Sequence, residues 1–226
     1  MRVAAVLPAG GAGLRMGEGG VRKQYTELCG EPVLLRSLRP FLEHPEVEWV
    51  VVALPPDDVE DPPFRLPDGV LVVAGGMERG DSVRRGLAAV PEAADVVLIH
   101  DAARPLLPSA VVDRVLRAVG PDVGAIAAVP VSDTLKRVDR EGWITGTVDR
   151  SPLWRAQTPQ GFPRAMIVEA YEWAAAEAVT GTDDAALVER YGGRVVVAEG
   201  DDRNLKITRP EDLRLAELLL SGEGEL

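Results

Sequence analysis

Leu7-Pro8-Ala9-Gly10-Gly11-Ala12-Gly13-Leu14-Arg15-Met16-Gly17-Glu18-Gly19-Gly20-Val21-Arg22-Lys23 is the stretch from which the rest of the chain can be read. The apolar run Val3 to Leu7 feeds into a loop with glycines at 10, 11, 13, 17, 19 and 20, on which Arg15 and Lys23 stand. Lacking a Cβ, glycine lets backbone N–H groups approach a ligand and frees positive φ. Successive exposed N–H groups form an anion nest, and a guanidinium with an ammonium adds the charge a polyphosphate requires. The stretch reads as a phosphate cradle at the mouth of a sheet. A flexible glycine-rich turn with two solvated cations has the same composition, so the loop alone does not separate the two readings. Two better-known phosphate loops do not fit. Gly-Lys-Ser/Thr is absent, and Met16 stands where the third glycine of a dinucleotide fingerprint belongs.

A chain of 226 residues suits a single domain, 1–226, with room for a substantial core. Hydrophobic residues at 46% and charged residues at 27% are ordinary for a soluble globular protein. The net charge of −11 disfavours DNA or RNA as a partner and suits a small anionic ligand held by local cations. The one cysteine, Cys29, has no internal disulfide partner, and no apolar run has the length of a membrane span or a signal-peptide core. The expected location is cytoplasmic, with no membrane. Lysine and arginine together number 25, yet only Lys23, Lys136 and Lys206 are lysines. Such scarcity points to places where a compact ammonium is wanted, although chance would also leave three.

Outward from the loop, strand and helix patterns alternate. Strands are expected at Arg2 to Leu7, Val47 to Leu54, Val70 to Val73, Asp95 to His100, Gly124 to Val129 and Arg194 to Ala198. Helical spacing marks Pro32 to Leu42, with Pro32 in the first turn, Ser82 to Val90, Ala110 to Val119, Pro163 to Ala176, Asp183 to Tyr191 and Pro210 to Leu220. This predicts an α/β fold: a mostly parallel, twisted sheet with helices on both faces. Within 131–153, Thr134 to Val138 and Ile144 to Val148 flank the turn-rich Asp139-Arg140-Glu141-Gly142, an inserted β-hairpin arm. A hairpin alone in water is marginal, so a second subunit is a candidate support.

In open parallel sheets ligands bind beyond the carboxyl ends of the strands, where several chemically capable residues fall. Asp101, directly after a buried strand, can hold Mg²⁺ against substrate phosphates, or can form a loop salt bridge with Arg104. His100 reads as a hydrogen-bonded packing residue, and His44 as a surface one. Asp81 or Ser82 can serve as an N-cap. Asp183 and Asp184 read as acids at a helix start, favoured by its positive dipole end. Thr134, Lys136 and Arg150 belong to the hairpin, and Lys206 follows the last strand, where it can face the crevice.

Together, Pro8 to Met16, Lys23-Gln24-Tyr25, His100-Asp101-Ala102-Ala103-Arg104-Pro105, Thr147-Val148-Asp149-Arg150, Thr158-Pro159-Gln160, Thr182-Asp183-Asp184-Ala185 and Asn204-Leu205-Lys206-Ile207-Thr208 form a specific series. The series resembles the 2-C-methyl-D-erythritol 4-phosphate cytidylyltransferase family from about Val3 to Leu220. The resemblance implies a Rossmann-like nucleotidyltransferase fold and CMP transfer from CTP to methylerythritol phosphate, with release of pyrophosphate and Mg²⁺ as cofactor. It implies Arg15 and Lys23 as catalytic residues and Asp101 as the metal ligand. The implied CTP-binding positions are Pro8, Ala9, Gly10, Gly11, Gly13, Gly76, Ser82, Asp101 and Ala102. Thr134, Arg150 and Lys206 are implied to hold the acceptor phosphate, the first two reaching a neighbouring subunit through a dimerisation arm. Three positions depart from the pattern: Met77 replaces a frequent polar residue, Leu14 replaces an occasional arginine, and no acid directly precedes Asn204. A transferase with another acceptor, such as a ribitol phosphate, and a nucleotide-binding protein without turnover are the rival readings.

Overall fold

A computed structural model describes residues 1–10, 15–16 and 21–222, with backbone alone for 15, 16 and 21. Strand β1 (Val3–Pro8) leads to two-residue ladders β2 (Arg15–Met16) with β3 (Val21–Arg22) and β4 (Glu27–Leu28) with β5 (Glu31–Pro32). Then come α1 (Val33–Leu42), β6 (Val47–Leu54), β7 (Val70–Ala74), α2 (Arg79–Ala88), β8 (Val96–Ile99), α3 (Ser109–Ala118) and β9 (Val123–Pro130). The arm strands β10 (Lys136–Val138) and β11 (Ile144–Thr147) follow. The chain ends with β12 (Trp154–Pro163), α4 (Arg164–Ala176), α5 (Asp184–Tyr191), β13 (Arg194–Glu199) and α6 (Pro210–Ser221). Among the described residues seven strands form the main sheet, in the order β13-β9-β12-β8-β1-β6-β7.

The sheet is parallel except for β12, which runs antiparallel to both β8 and β9. Strand β1 shows why its sequence is continuously apolar. Val3, Ala5 and Leu7 face a core layer shared with Leu34 and Phe41 of α1 and Val115 of α3. Ala4 and Val6 face the opposite layer, with Val83 and Leu87 of α2 and Ile167 of α4. All five strand residues are fully buried, so each side chain contributes to one of two cores. Each buried Val, Leu or Phe stabilises the fold by roughly 1.5–3 kcal/mol.

From β1 the chain passes to β6 and β7 on one side, then returns to β8 on the other. The crevice beyond the ends of β1 and β8 is therefore a topological switch point, the place where α/β sheets bind ligands. Helix α2 reaches this crevice because Gly86 packs against β1, where an added Cβ would lie 2.5 Å from Val6 Cγ1. The helix starts at Arg79, three residues before the expected Ser82. Asp81 caps it from the third position, its carboxylate accepting the Glu78 N–H at 3.3 Å.

The expected hairpin is present, but the sequence reading missed β12, its return strand. Trp154 pairs with Pro130 and the Val131 N–H donates to the Leu153 carbonyl at 3.0 Å, so the arm is the far end of a long β9–β12 hairpin. A hairpin obliges its two strands to be antiparallel, which is why one reversed strand lies inside a parallel sheet. His44, expected at the surface, is buried with Nε2 3.2 Å from Asp113 Oδ1.

Candidate active site

A cavity of about 180 Å³ opens at the switch point. Pro8 and Ala9 line it from the end of β1, Lys23 from the start of a short 3-10 helix (Lys23–Tyr25), Ser82 from α2, Asp101 and Ala102 from the end of β8, and Lys206 after β13. These seven sequence-expected residues thus converge. Gly10 and Gly76 are buried beside Ser82. A Cβ on Gly10 would meet Gly75 Cα at 2.6 Å, and one on Gly75 would meet Gly10 Cα at 2.6 Å. The two loops touch backbone to backbone, so glycine is required at both. The Ser82 hydroxyl accepts the Gly76 N–H at 3.0 Å and donates to the Glu78 carbonyl at 3.2 Å, holding this junction from inside the helix rather than capping it. Gly11, Gly13 and the Arg15 side chain lie outside the described residues.

Asp101 is the electrostatic centre. Arg79 Nε donates to its Oδ1 at 2.8 Å and Lys206 Nζ to its Oδ2 at 2.8 Å. Arg104, the partner the sequence offered, is farther, with Nε 3.7 Å from Oδ2. Burial works to raise the Asp101 pKa, but Arg79, Lys206 and Arg104 overcome it and hold the carboxyl well below the usual range. Lys23 is pushed below its ordinary value, first by burial and then by the Lys206 ammonium, with Asp101 opposing. Lys23, Arg79 and Lys206 give this crevice a local positive charge that the net charge of the chain conceals.

Sequence reading did not single out Arg79. Its Nη1 and Nη2 reach Asp184 Oδ1 and Oδ2 at 2.9 and 2.8 Å, and the Tyr171 hydroxyl donates to Asp184 Oδ1 at 2.5 Å. Asp184 opens α5 as expected, and it is also fully buried and paired with Arg79. Capping falls to Asp183, whose Oδ1 accepts the Ala186 N–H at 2.9 Å. The acidic doublet was visible in the sequence; that its second member faces inward was not. His100 is the packing residue expected, fully buried and pushed down to about 4 by that burial.

Asp101, Arg79 and Lys206 also border a second cavity of about 280 Å³, completed by Arg104, Thr158 and Thr182. Thr134 and Arg150 line neither cavity. Both are exposed on the arm, where Arg150 Nη1 donates to the Ser132 carbonyl.

The model of the 2-C-methyl-D-erythritol 4-phosphate cytidylyltransferase family matches residues 3–222. The chain belongs to this family. A relative bearing that name from Symbiobacterium thermophilum is 47% identical, over 98% of this chain and 94% of its own. Another from Syntrophotalea carbinolica is 46% identical, over 100% and 99%. The crystal structure of the Thermus thermophilus enzyme superposes with a TM-score of 0.80 at 34% identity, covering 98% of this chain and all of that one. The 4-diphosphocytidyl-2C-methyl-D-erythritol synthase of Anaerococcus prevotii gives 0.85 at 28% identity, covering 97% and 96%.

Two departures from the cytidylyltransferase pattern have structural outcomes. Met77 is almost fully exposed. Asp202 is exposed and paired with Arg155 at 2.5 Å, so it adds no second carboxylate to the crevice. Among the described residues no group of three or more His, Cys, Asp or Glu is placed to hold a metal, and no helix is long and apolar enough to cross a membrane.

Proposed function

We propose that this protein transfers CMP from CTP to 2-C-methyl-D-erythritol 4-phosphate, giving 4-diphosphocytidyl-2-C-methyl-D-erythritol and pyrophosphate, a step of isoprenoid precursor synthesis by the non-mevalonate pathway. An oxygen of the acceptor phosphate attacks the α-phosphorus of CTP, and the bond to the bridging oxygen of pyrophosphate breaks. One observation carries the reading: a buried, ionised carboxylate, Asp101, is the shared wall of two cavities and is flanked by cations on both. A triphosphate in one cavity and a polyol phosphate in the other would meet at that wall. Such transfers need positioning and charge stabilisation rather than a protein nucleophile, and the crevice supplies cations.

In this proposal Pro8, Ala9, Gly10, Gly11, Gly13, Gly76, Ser82 and Ala102 hold the nucleotide, while Arg15 and Lys23 stabilise charge on the α-phosphate. Lys206 holds the acceptor phosphate together with Thr134 and Arg150 of a partner subunit. The exposed Val138, Trp143 and Ile144 give the arm an apolar surface for that homodimer. Mg²⁺ fits the donor set, since it takes one or two carboxylates and completes its shell with phosphate oxygens and water. Asp101 would hold it, and when bound it neutralises phosphate charge.

The test is pyrophosphate release from purified protein with Mg²⁺ and CTP, comparing methylerythritol phosphate, ribitol phosphate and no acceptor. Release that requires methylerythritol phosphate is expected. Release with ribitol phosphate instead overturns the acceptor, and CTP binding without release overturns the enzyme.

A further inference from the structure

We infer that Thr158 is a positioning residue for the carboxylate at the centre of the crevice, its hydroxyl fixing Asp101 where Lys206 meets it. The inference rests on the functional reading above. Thr158 is buried on β12, where the strand departs from its register with β9 between Ala156 and Gln160. The Asp101 backbone N–H donates to Thr158 Oγ1 at 3.0 Å, and Oγ1 lies 3.0 Å from His100 Nδ1. His100 Nε2 lies 3.1 Å from the Arg104 carbonyl.

The direction of every proton along these contacts is determined. A carbonyl only accepts, so His100 Nε2 carries the hydrogen and, in the neutral ring, Nδ1 is bare. The Thr158 hydroxyl therefore donates to Nδ1, leaving its lone pairs for the Asp101 N–H. The ring of contacts closes on the other side. Arg104 Nη1 donates to the Asn204 carbonyl at 2.7 Å, and Asn204 Nδ2 donates to the Thr158 carbonyl at 2.7 Å. Asn204 is fully buried and two residues before Lys206, so Thr158 ties the backbones of Asp101 and Lys206 to one point. Their side chains then meet at 2.8 Å.

Thr158→Val keeps the shape and removes both hydroxyl functions; Thr158→Ser keeps them. Because misplacing a reacting group by about 1 Å costs up to about 10²-fold, Thr158→Val should lower kcat by roughly 10- to 100-fold, with KM for CTP nearly constant. Mn²⁺ titrated by electron paramagnetic resonance into the enzyme–CTP complex should bind several-fold more weakly. Thr158→Ser should restore both to within about threefold of the parent. Thr158→Cys, close in volume and weak in hydrogen bonding, carries the same test if the valine variant does not fold. A folded Val or Cys variant with parental kcat and Mn²⁺ affinity overturns the inference, as does a serine variant as impaired as valine. Asp101→Asn, measured alongside, separates the two levels. Full activity in that variant removes the functional reading itself, whereas an inactive Asp101→Asn beside a fully active Thr158→Val removes only the positioning role.

Discussion

The Asp101 crevice and the β10–β11 arm hold residues of similar chemistry in opposite environments. In the crevice one carboxylate is gripped by Arg79, Lys206 and Arg104, and the next layer, Asp184, Tyr171, His100 and Thr158, is buried and hydrogen-bonded. On the arm, Thr134 and Arg150 are exposed, and the apolar Trp143 and Ile144 project from a two-stranded ladder. A low-dielectric site makes each charge strong and fixes it without reorganisation, while an exposed charge is screened and poorly held. Arg150 can grip a phosphate with comparable strength only if something desolvates and orders it. In the proposed homodimer the partner's crevice does so.

Five experiments press on this contrast. Asp101→Asn removes the negative charge at the centre and should lower kcat by about 10³-fold in single-turnover pyrophosphate release; a loss below about tenfold would place the chemistry elsewhere. Lys23→Ala should lower kcat by about 10²-fold with little change in KM for CTP, and a change in KM alone counts against transition-state stabilisation. Mixing Arg150→Ala with Asp101→Asn subunits tests the arm. Each heterodimer regains one intact site, so random pairing should return about a quarter of parental activity. No recovery in confirmed heterodimers assigns Arg150 to its own subunit. Trp143→Asp should weaken dimerisation at least about tenfold by analytical ultracentrifugation while changing subunit stability by less than about 0.5 kcal/mol.

A further experiment concerns acid stability. His100 is fully buried and pushed from 6.5 to about 4, so between those values the unfolded chain binds a proton that the fold rejects. Unfolding free energy therefore rises with pH across this window, and stability is lost as pH falls from about 6.5 towards 4, by up to about 3 kcal/mol. Urea titrations at about pH 7 and about pH 4.5 should show this slope, and His100→Asn should flatten it. An unchanged slope would mean that other groups carry it.

The sequence determined the alternation of strands and helices and the arm, because these are local signals: periodicity and turn composition. It also brought Lys23, Asp101 and Lys206 to the strand ends, since a parallel sheet puts every such end on one edge. Strand β12 was not legible, because Trp154-Arg155-Ala156-Gln157-Thr158-Pro159-Gln160 has no clear period and its place in the sheet depends on β8 and β9. Arg79 and Asp184 lie 105 residues apart in sequence, and both this pair and Asp101–Lys206 join different elements. Which face of α5 turns inward, and which cation reaches which carboxylate oxygen, are settled only when helices pack on the sheet. Burial then makes an unpaired charge too costly to keep, and tertiary structure selects the partners.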